Sequence, residues 1–343
     1  METNQRIGNL DVIKILAASG ILFHHYQQLA AVKLGGVEFY GGRFAFGYLV
    51  ELFFIISGFL TAYSFNSEKK FKTWIIGKVI RYYPYAFIAC IFSLLIALVY
   101  FFIVGDSLFG MDYNFPTILT SLTLFHTGWF VEYSPAVNNP TWYLCVLTIC
   151  YLLYWLLQKV ILWKNKWVLF GGTALIMIPL YYVVTHGVGN IPFLRLSNIS
   201  GYGSFFVGCS LCLIYKQVNK RVAIICNIIL WIATIGGIVV LGLSNWYVLT
   251  YLFFPSMVLS ALLIPQLESE LLKTIGAISF ELYLWHVPVY SVLLTLITVF
   301  KVRICHTYYT MFFFYILSWI IAAVVYYVIE KRLAKKLKGF LKN

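Results

Sequence analysis

The sequence is dominated by apolar stretches of about 20 residues, which is the length that a helix needs to cross the hydrocarbon core of a membrane. Hydrophobic residues make up 62% of the 343 residues and charged residues only 11%, too few charges to cover the exterior of a soluble domain. The pattern therefore predicts an all-α polytopic membrane helix bundle of about ten transmembrane helices. It excludes a soluble enzyme, a disordered chain and a secreted disulfide scaffold. The predicted spans are 10–31, 44–65, 79–104, 140–162, 167–186, 198–215, 221–242, 246–265, 275–298 and 308–330.

Two apolar segments need a separate interpretation. The segment 114–130 is short and interrupted by proline and glycine, so we expect a re-entrant or interfacial piece rather than a span. The first span could be mistaken for a signal peptide. Because it contains Lys14 and the pair His24-His25 and lacks a small-residue cleavage site, it is better interpreted as a retained first helix.

The distribution of basic residues predicts the orientation. With the N-terminus inside, 20 of the 25 Lys and Arg residues fall on the inside, and the alternating loops leave five outside. This bias follows the positive-inside rule and predicts that both termini are cytoplasmic in a multi-pass protein of the cell (inner or plasma) membrane. The net charge of +13 is therefore explained by topology, and we expect no nucleic-acid partner. The five outside residues are Lys33, Arg43, Arg195, Lys301 and Arg303.

We expect one membrane domain over residues 1–330 and a basic cytoplasmic tail over 331–343. Within the tail, Leu333, Leu337, Phe340 and Leu341 recur at helical spacing among lysines. This arrangement suits a short helix on the anionic cytoplasmic leaflet. A frayed basic tail is an equally good interpretation.

Ionisable residues inside such apolar spans are candidate functional residues. Lys14 and His25 are 11 residues apart, three helical turns, so they share one helix face at an axial separation of about 16 Å. An elongated anionic ligand entering from the cytoplasm could contact both. The alternatives are a helix–helix hydrogen bond for His25 and a snorkelling side chain for Lys14. The ionisable residues inside the spans are Lys14, His24, His25, Glu51, Glu281 and His286.

Two further residues lie at informative positions. Glu51 and His25 lie about 10 Å and 9 Å from the outer ends of their spans, so the carboxylate could orient the imidazole for general-base work. A structural His–Glu pair, or Glu51 facing a wet vestibule alone, would give the same pattern. His286 stands just before Pro288, which predicts a kink, and its role is either structural or substrate contact. The His and Glu residues have no convincing metal spacing, and the seven cysteines are interpreted as packing residues. We expect no metal and no permanently bound cofactor.

Five short segments, in a fixed order along the chain, combine these polar residues with small and aromatic ones. Together they resemble the acyltransferase-3 family of integral membrane O-acyltransferases. The resemblance extends from residue 6 to about residue 290. The segments are Leu10–Lys14 followed by His24 and His25, Glu51–Leu60, Ile80–Pro84, Pro140–Leu144 and Ile278–Pro288.

The resemblance implies transfer of an acyl group, usually acetyl, from a cytoplasmic acyl donor to a carbohydrate hydroxyl. It also implies that His25 is the catalytic histidine, with the adjacent His24 as the alternative. Lys14 stands where the family has arginine, so a point-charge ammonium replaces a forked guanidinium. Leu147 stands where many members have a glutamate. We expect the membrane domain alone, without an appended extracytoplasmic domain.

We therefore expect an O-acetyltransferase that moves an acyl group from acyl-CoA to a surface polysaccharide or lipid-linked glycan. The acyl-CoA phosphates would lie near Lys14 and Arg81, and His25 would take the proton of the acceptor hydroxyl. Direct transfer and a relay through an acyl-enzyme are both compatible with the sequence. The expected partners are acyl-CoA, the carbohydrate acceptor and membrane lipids, and the chain could form a homo-oligomer. The predicted catalytic residues are His25 and Glu51, and the predicted substrate-binding residues are Lys14, His24, Arg81, Trp142 and His286.

Two other classes of function compete with this hypothesis. A proton-coupled transporter or flippase of a glycan precursor would use Lys14, Glu51, Glu281 and the histidines as a proton relay, although no inverted repeat is visible in the sequence. A structural or sensory membrane subunit would tolerate substitution of Lys14 and His25. Consumption of acyl-CoA by the purified protein separates the first hypothesis from both.

Overall fold

A computed structural model of the chain describes residues 6–30, 33–34, 37–38, 46–111, 113–132, 137–159, 165–187, 191–303 and 307–340. These residues form a helix bundle, with an antiparallel ladder of two residues a side between Lys33–Leu34 and Val37–Glu38. The α-helices are α1 (Gly8–Ala30), α2 (Leu49–Tyr63), α3 (Phe71–Val79), α4 (Tyr83–Val104), α5 (Phe115–Thr123), α6 (Trp142–Lys159), α7 (Lys166–Thr185), α8 (Leu196–Gln217), α9 (Lys220–Leu241), α10 (Trp246–Val248), α11 (Phe254–Leu263), α12 (Glu270–Val299), α13 (Tyr308–Val325) and α14 (Lys331–Phe340). Short 3₁₀ turns cover Phe46–Tyr48, Leu108–Gly110 and Asn139–Thr141, and π turns cover Leu249–Phe253 and Tyr326–Glu330.

The predicted multi-pass, all-α bundle is confirmed. Within the described residues, nine helical stretches are long and apolar enough to cross a membrane. Helix α1 has the required length, 23 residues, but Lys14, the two histidines and two glutamines make it more polar than the others. The nine-residue helix α5 is too short to span, as expected for segment 114–130. The nine stretches are Phe46–Tyr63, Tyr83–Val104, Asn139–Lys159, Lys166–Thr185, Leu196–Gln217, Lys220–Leu241, Trp246–Leu263, Glu270–Val299 and Tyr308–Leu337.

Helix α8 is central and packs closely against α2. In the most apolar 18 residues of α8, 83% of the residues are buried, whereas in the peripheral helix α9 only 6% are. A side chain at Gly58 would collide with the Phe205 carbonyl of α8, and one at Gly208 would collide with the Ile55 carbonyl of α2. Small residues allow helix backbones to approach closely in membranes. The two glycines therefore fix which face of α2 is turned toward α8.

Helices α1 and α12 run in parallel through the bundle. Near their first turns Gly276 of α12 packs on Asp11 of α1, where a Cβ would lie 2.7 Å from the Asp11 Cβ. Farther along, Pro288 lies inside α12 and leaves the Leu284 carbonyl without its intrahelical donor. The amide of Asn138 donates to that carbonyl at 3.0 Å. The proline therefore creates an acceptor that anchors the segment before α6 to α12.

The basic tail is helical over the described part. Helix α14, Lys331–Phe340, continues from α13 through the π turn Tyr326–Glu330, which favours the helical interpretation of the tail over the frayed one. Residues 341–343 lie outside the described residues. The cytoplasmic position of both termini stays a prediction.

Candidate active site

A cavity lined by basic side chains opens at the end of the bundle where α1 begins and α2 ends. It encloses about 550 Å³. Lys14 and Arg81, predicted from separate motifs, both line it, together with Arg6 and Lys78. Asp11 is the acidic residue among its described lining residues. We call it the basic cavity. Such an excess of positive charge in a concave site attracts a polyanion such as a chain of phosphates.

Asp11 organises the cations at the mouth of the basic cavity. Its side chain is only 3% exposed, and its Oδ1 lies 2.7 Å from Nζ of Lys14, three residues later on the same helix. Its Oδ2 accepts a hydrogen bond from Nε of Arg6 at 2.8 Å. Because Asp11 balances part of the charge on Lys14 and Arg6, the net excess of positive charge is shifted toward Lys78 and Arg81.

Lys78 lies at the last turn of α3 and points into the basic cavity. Its Nζ donates to Oγ1 of Thr61 at 3.0 Å and lies 5.1 Å from the ring centroid of Tyr151. Burial and, to a smaller extent, the nearby Arg81 guanidinium lower the pKa of Lys78 to about 7. A phosphate beside Lys78 would raise that pKa again, because an opposite charge favours the ammonium form.

His25 and His286 meet across the interface of α1 and α12. Their ring centroids are 5.1 Å apart and the rings are inclined by 28°. The Nδ1–H of His286 donates to the Leu282 carbonyl at 3.1 Å, and that of His25 donates to Oε1 of Gln28 at 3.2 Å. Because both oxygens can only accept, each Nδ1 carries the proton and each Nε2 keeps its lone pair. Either Nε2 has the form that a general base requires.

His24 is adjacent to His25 but faces a different neighbour. The two ring centroids are 5.4 Å apart and inclined by 71°. The His24 ring packs against Gly47, where a Cβ would lie only 2.8 Å from Nε2. Gly47 belongs to the 3₁₀ turn that leads into α2. We call His24, His25 and His286 the histidine cluster.

A column of aromatic residues connects the basic cavity to the histidine cluster. It starts at Ser57, which lines the basic cavity and shares a hydrogen bond of 2.8 Å with the hydroxyl of Tyr143. The Tyr143 ring centroid lies 6.1 Å from that of Phe53 and 5.8 Å from that of Tyr283. The Tyr283 centroid lies 6.2 Å from that of His286. The basic cavity and the histidine cluster are therefore joined by an unbroken series of side-chain contacts.

A second cavity, of about 370 Å³, lies at the opposite end of the bundle, where α2 begins. Two carboxylates and three aromatic rings line it, and its described lining residues include no Lys or Arg. We call it the acidic cavity. Its lining residues are Tyr48, Glu51, Thr127, Glu132, Asn139, Trp142, Tyr181, Leu196, Ser197 and Ser200.

The predicted orientation of His25 by Glu51 is wrong. Among the described residues, Ser200 on α8 is the hydrogen-bond donor to Glu51, at 3.1 Å, and Gln28 is the hydrogen-bond partner of His25. Glu51 and Gly58 are seven residues apart, two helical turns, and so share one face of α2. That face is the one packed against α8. Similar depth in neighbouring helices could not reveal this rotation.

Glu132 is held at the wall of the acidic cavity by two partners. Its Oε2 lies 3.4 Å from Nε of Arg195 and accepts a hydrogen bond from the backbone N–H of Gly128 at 3.2 Å. Arg195 also donates to the Trp129 carbonyl at 2.8 Å. Burial raises the pKa of Glu132, while the Gly128 N–H and Arg195 act in the opposite direction. The Glu132 carboxylate is thus held by the backbone of the preceding turn and by Arg195.

The intramembrane ionisable residues Lys14, Glu51 and Glu281 lie in three different surroundings. Lys14 lines the basic cavity, Glu51 lines the acidic cavity, and Glu281 is fully buried on α12. Within the described part of the chain, no hydrogen bond joins any two of them.

The structure places the seven predicted residues in three groups rather than one. Lys14 and Arg81 share the basic cavity, His24, His25 and His286 form the histidine cluster, and Glu51 and Trp142 share the acidic cavity.

Sequence reasoning missed four residues of these groups. Lys78 stands three residues before Arg81, a spacing that could have revealed it. Tyr143, Glu132 and Ser200 meet their partners through contacts between distant parts of the chain. No local sequence pattern predicts those contacts.

The bundle places a cationic cavity and a cluster of three imidazoles inside a multi-pass membrane protein. A family model described as an acyltransferase domain matches residues 7–330 of the 343. The chain belongs to the acyltransferase-3 family, and it is a membrane acyltransferase. No curated protein and no solved structure matches the chain.

Proposed function

We propose that this chain transfers an acyl group, most simply acetyl, from acyl-CoA to a hydroxyl of a surface or lipid-linked carbohydrate, with His25 as the general base. Family membership supports the acyl transfer. The observation that carries the rest is the chain of side-chain contacts that leads from the basic cavity along the aromatic column to the imidazoles of His25 and His286.

The donor is the partner that fits the basic cavity. Acyl-CoA carries several phosphates at one end and its thioester at the end of a long, slender arm. The phosphates would contact Lys14, Lys78 and Arg81, because charge-assisted bonds to phosphate are the strong ones. The arm would follow the aromatic column to the histidines. The axial separation of Lys14 and His25, about 16 Å, suits a molecule of this length.

The chemistry requires one proton acceptor that later becomes a donor. The acceptor hydroxyl oxygen attacks the thioester carbonyl while Nε2 of His25 takes the hydroxyl proton. The carbon–sulfur bond then breaks, and the imidazolium returns the proton to the leaving thiolate. Ester and free CoA are the products. The Nδ1–H bond to Gln28 supports this role, because it keeps Nε2 available as the base.

The distribution of basic residues supports the orientation of the protein in the membrane that this proposal requires. If the basic end of the bundle is cytoplasmic, as the positive-inside rule predicts, the basic cavity opens to the cell's pool of acyl-CoA. The acidic cavity then opens toward the opposite leaflet. The basic helix α14 would lie on the cytoplasmic surface of the cell membrane.

The test is acetyl-CoA turnover by the purified protein in lipid nanodiscs, followed as free CoA thiol and as ester formed on an added carbohydrate. We expect the His25→Ala variant to lose at least about 100-fold in kcat, the usual contribution of a positioned general base. His186→Ala is the matched control, since His186 is exposed beyond the end of α7.

Two results would contradict the proposal. A folded His25→Ala protein with wild-type turnover would remove His25 from the chemistry. A wild-type protein that consumes no acetyl-CoA with any acceptor would reject acyl transfer from CoA, and transport of a glycan precursor would then become the better hypothesis.

A further inference from the structure

The acidic cavity combines groups that bind hydroxylated rings and exclude anions. Trp142, Tyr48 and Tyr181 offer aromatic faces, and Glu51 and Glu132 offer carboxylates. The described lining residues include no lysine or arginine. Arg195, outside the lining, lies 3.4 Å from the Glu132 carboxylate and balances its charge. The basic cavity has the opposite composition, so the two cavities cannot be sites for the same chemical group.

One buried polar atom beside this cavity lacks a partner. The buried hydroxyl of Ser197, a lining residue, has no hydrogen-bond partner in the described part of the chain. Glu51, only 5% exposed, accepts a hydrogen bond from Oγ of Ser200 at 3.1 Å. Buried polar groups without partners are costly. A ligand with several hydroxyl groups would give the Ser197 hydroxyl a partner.

The cavity wall is tied directly to the reaction centre. Asn139 and Trp142 line the cavity, and between them the Pro140 carbonyl accepts a hydrogen bond of 2.6 Å from the hydroxyl of Tyr283. Tyr283 precedes His286 by three residues, about one turn of α12.

On the other side of the cavity, the lining residue Tyr48 follows Gly47, against which the His24 ring packs. His24, at one edge of the histidine cluster, therefore packs on the turn that forms part of the cavity wall.

We propose that the acidic cavity is the acceptor site and that it selects a ring with several hydroxyl groups and no anionic substituent, that is, a neutral or amine-bearing sugar residue. This inference rests on the proposed acyl transfer and specifies its acceptor. Hydroxyls of the ring donate to Glu51 and Glu132, and the ring stacks on Trp142. A uronic acid or phosphorylated ring is rejected, because the described lining offers its anion no lysine or arginine and a buried charge without a partner is costly.

The experiment uses the full-length protein in nanodiscs with saturating acetyl-CoA and a panel of methyl glycosides. Each gluco, galacto and manno ring is offered in its neutral, 2-amino and uronic acid forms, and the readout is acceptor-dependent release of CoA thiol and ester. We expect the accepted rings to be neutral or amine-bearing. We expect their uronic counterparts to have kcat/KM values lower by at least about tenfold.

Glutamine substitutions of the two lining carboxylates test whether charge, rather than shape, determines the selectivity for the acceptor ring. Glu132→Gln, at a side chain that is 32% exposed, should raise the relative kcat/KM of the uronic form about tenfold by removing the acid that balances Arg195. Glu51→Gln should do the same and also raise KM for the neutral ring. Asp106→Asn is the control, since Asp106 is an exposed acid after α4 and does not line the cavity.

Each outcome decides between the two proposals. A uronic form as the preferred acceptor, or unchanged selectivity in both glutamine variants, would overturn the acceptor site. The same holds if acetyl-CoA is slowly hydrolysed but no ring in the panel accelerates its use, because the donor half of the reaction would then stand without this acceptor. Absence of any acetyl-CoA consumption would instead reject the proposed function itself.

Discussion

The basic cavity and the acidic cavity lie at opposite ends of one bundle and differ in almost every chemical respect. The first is lined by four cations and one acid, Asp11. The second is lined by Glu51, Glu132 and three aromatic rings, with no described cation. Both have volumes of a few hundred Å³, which is the usual size of a ligand site. Charge, rather than size, distinguishes them.

The difference in lining charge indicates how one membrane domain can bind two substrates at separate sites. The polyanionic donor and a neutral hydroxylated acceptor are sorted by the sign of the lining charge, so neither competes for the other's site. The histidine cluster lies between, joined to one cavity through Tyr283 and Tyr143 and to the other through the turn at Gly47. Removing a group from one cavity should therefore affect one substrate only.

Among the substitutions that test this comparison, the largest effect is expected for His286→Ala. His286 belongs to the histidine cluster, between the two cavities. His286→Ala should lower kcat about 100-fold and leave KM for acetyl-CoA and for the acceptor within about twofold. The reason is that the ring stacks on the base His25 and lines neither cavity. Steady-state kinetics with each substrate varied in turn make the measurement. A change confined to one KM would instead move His286 into that substrate's site.

Substitution of Lys14 is expected to have a smaller effect, on the KM for the donor alone. Lys14→Gln should raise KM for acetyl-CoA about tenfold, the cost of one charge-assisted bond, and leave the acceptor KM unchanged. Lys14→Arg should stay within about threefold of wild type, since it keeps the charge and restores the group that the family pattern has.

Lys69→Gln provides the control for Lys14. Lys69 is an exposed lysine at the same end of the bundle, outside the lining of the basic cavity. If Lys14→Gln raised the acceptor KM as much as the donor KM, the separation of the two cavities by charge would fail.

The smallest effect is a pH dependence confined to the basic cavity. The pKa of Lys78 is lowered to about 7 in the free protein and rises when a phosphate binds, so donor binding takes up a proton above pH 7. Affinity is therefore greatest below pH 7 and falls as the pH rises, by less than tenfold per pH unit and by about fivefold between pH 7.5 and 8.5.

Calorimetric titration with a thioether analogue of acetyl-CoA tests this dependence. Lys78→Gln should bind the analogue more weakly near pH 7 and show a much flatter profile. A steep profile that persists in Lys78→Gln would assign the titration to another group.

The motif residues illustrate how far the sequence could predict the site. Lys14 and His25 lie on one helix, so the period of 3.6 residues per turn was sufficient to place them on one face. The same local reasoning placed a helix irregularity at Pro288, where the structure shows the Leu284 carbonyl accepting a hydrogen bond from Asn138. It failed for Glu51, because the rotation of α2 about its axis is set by the packing of Gly58 and Gly208 against α8.

The sequence by itself determined the membrane bundle, the extent of its helices and the residues on which acyl transfer could depend. Those properties follow from apolar length, charge placement and helical period, which are local quantities. Only the tertiary structure decided that His286 stacks on His25, that Lys78 joins Lys14 and Arg81, and that Glu51 belongs with Glu132. The reason is physical, because contacts between distant helices depend on their close packing and relative rotation, and no single stretch of sequence encodes these.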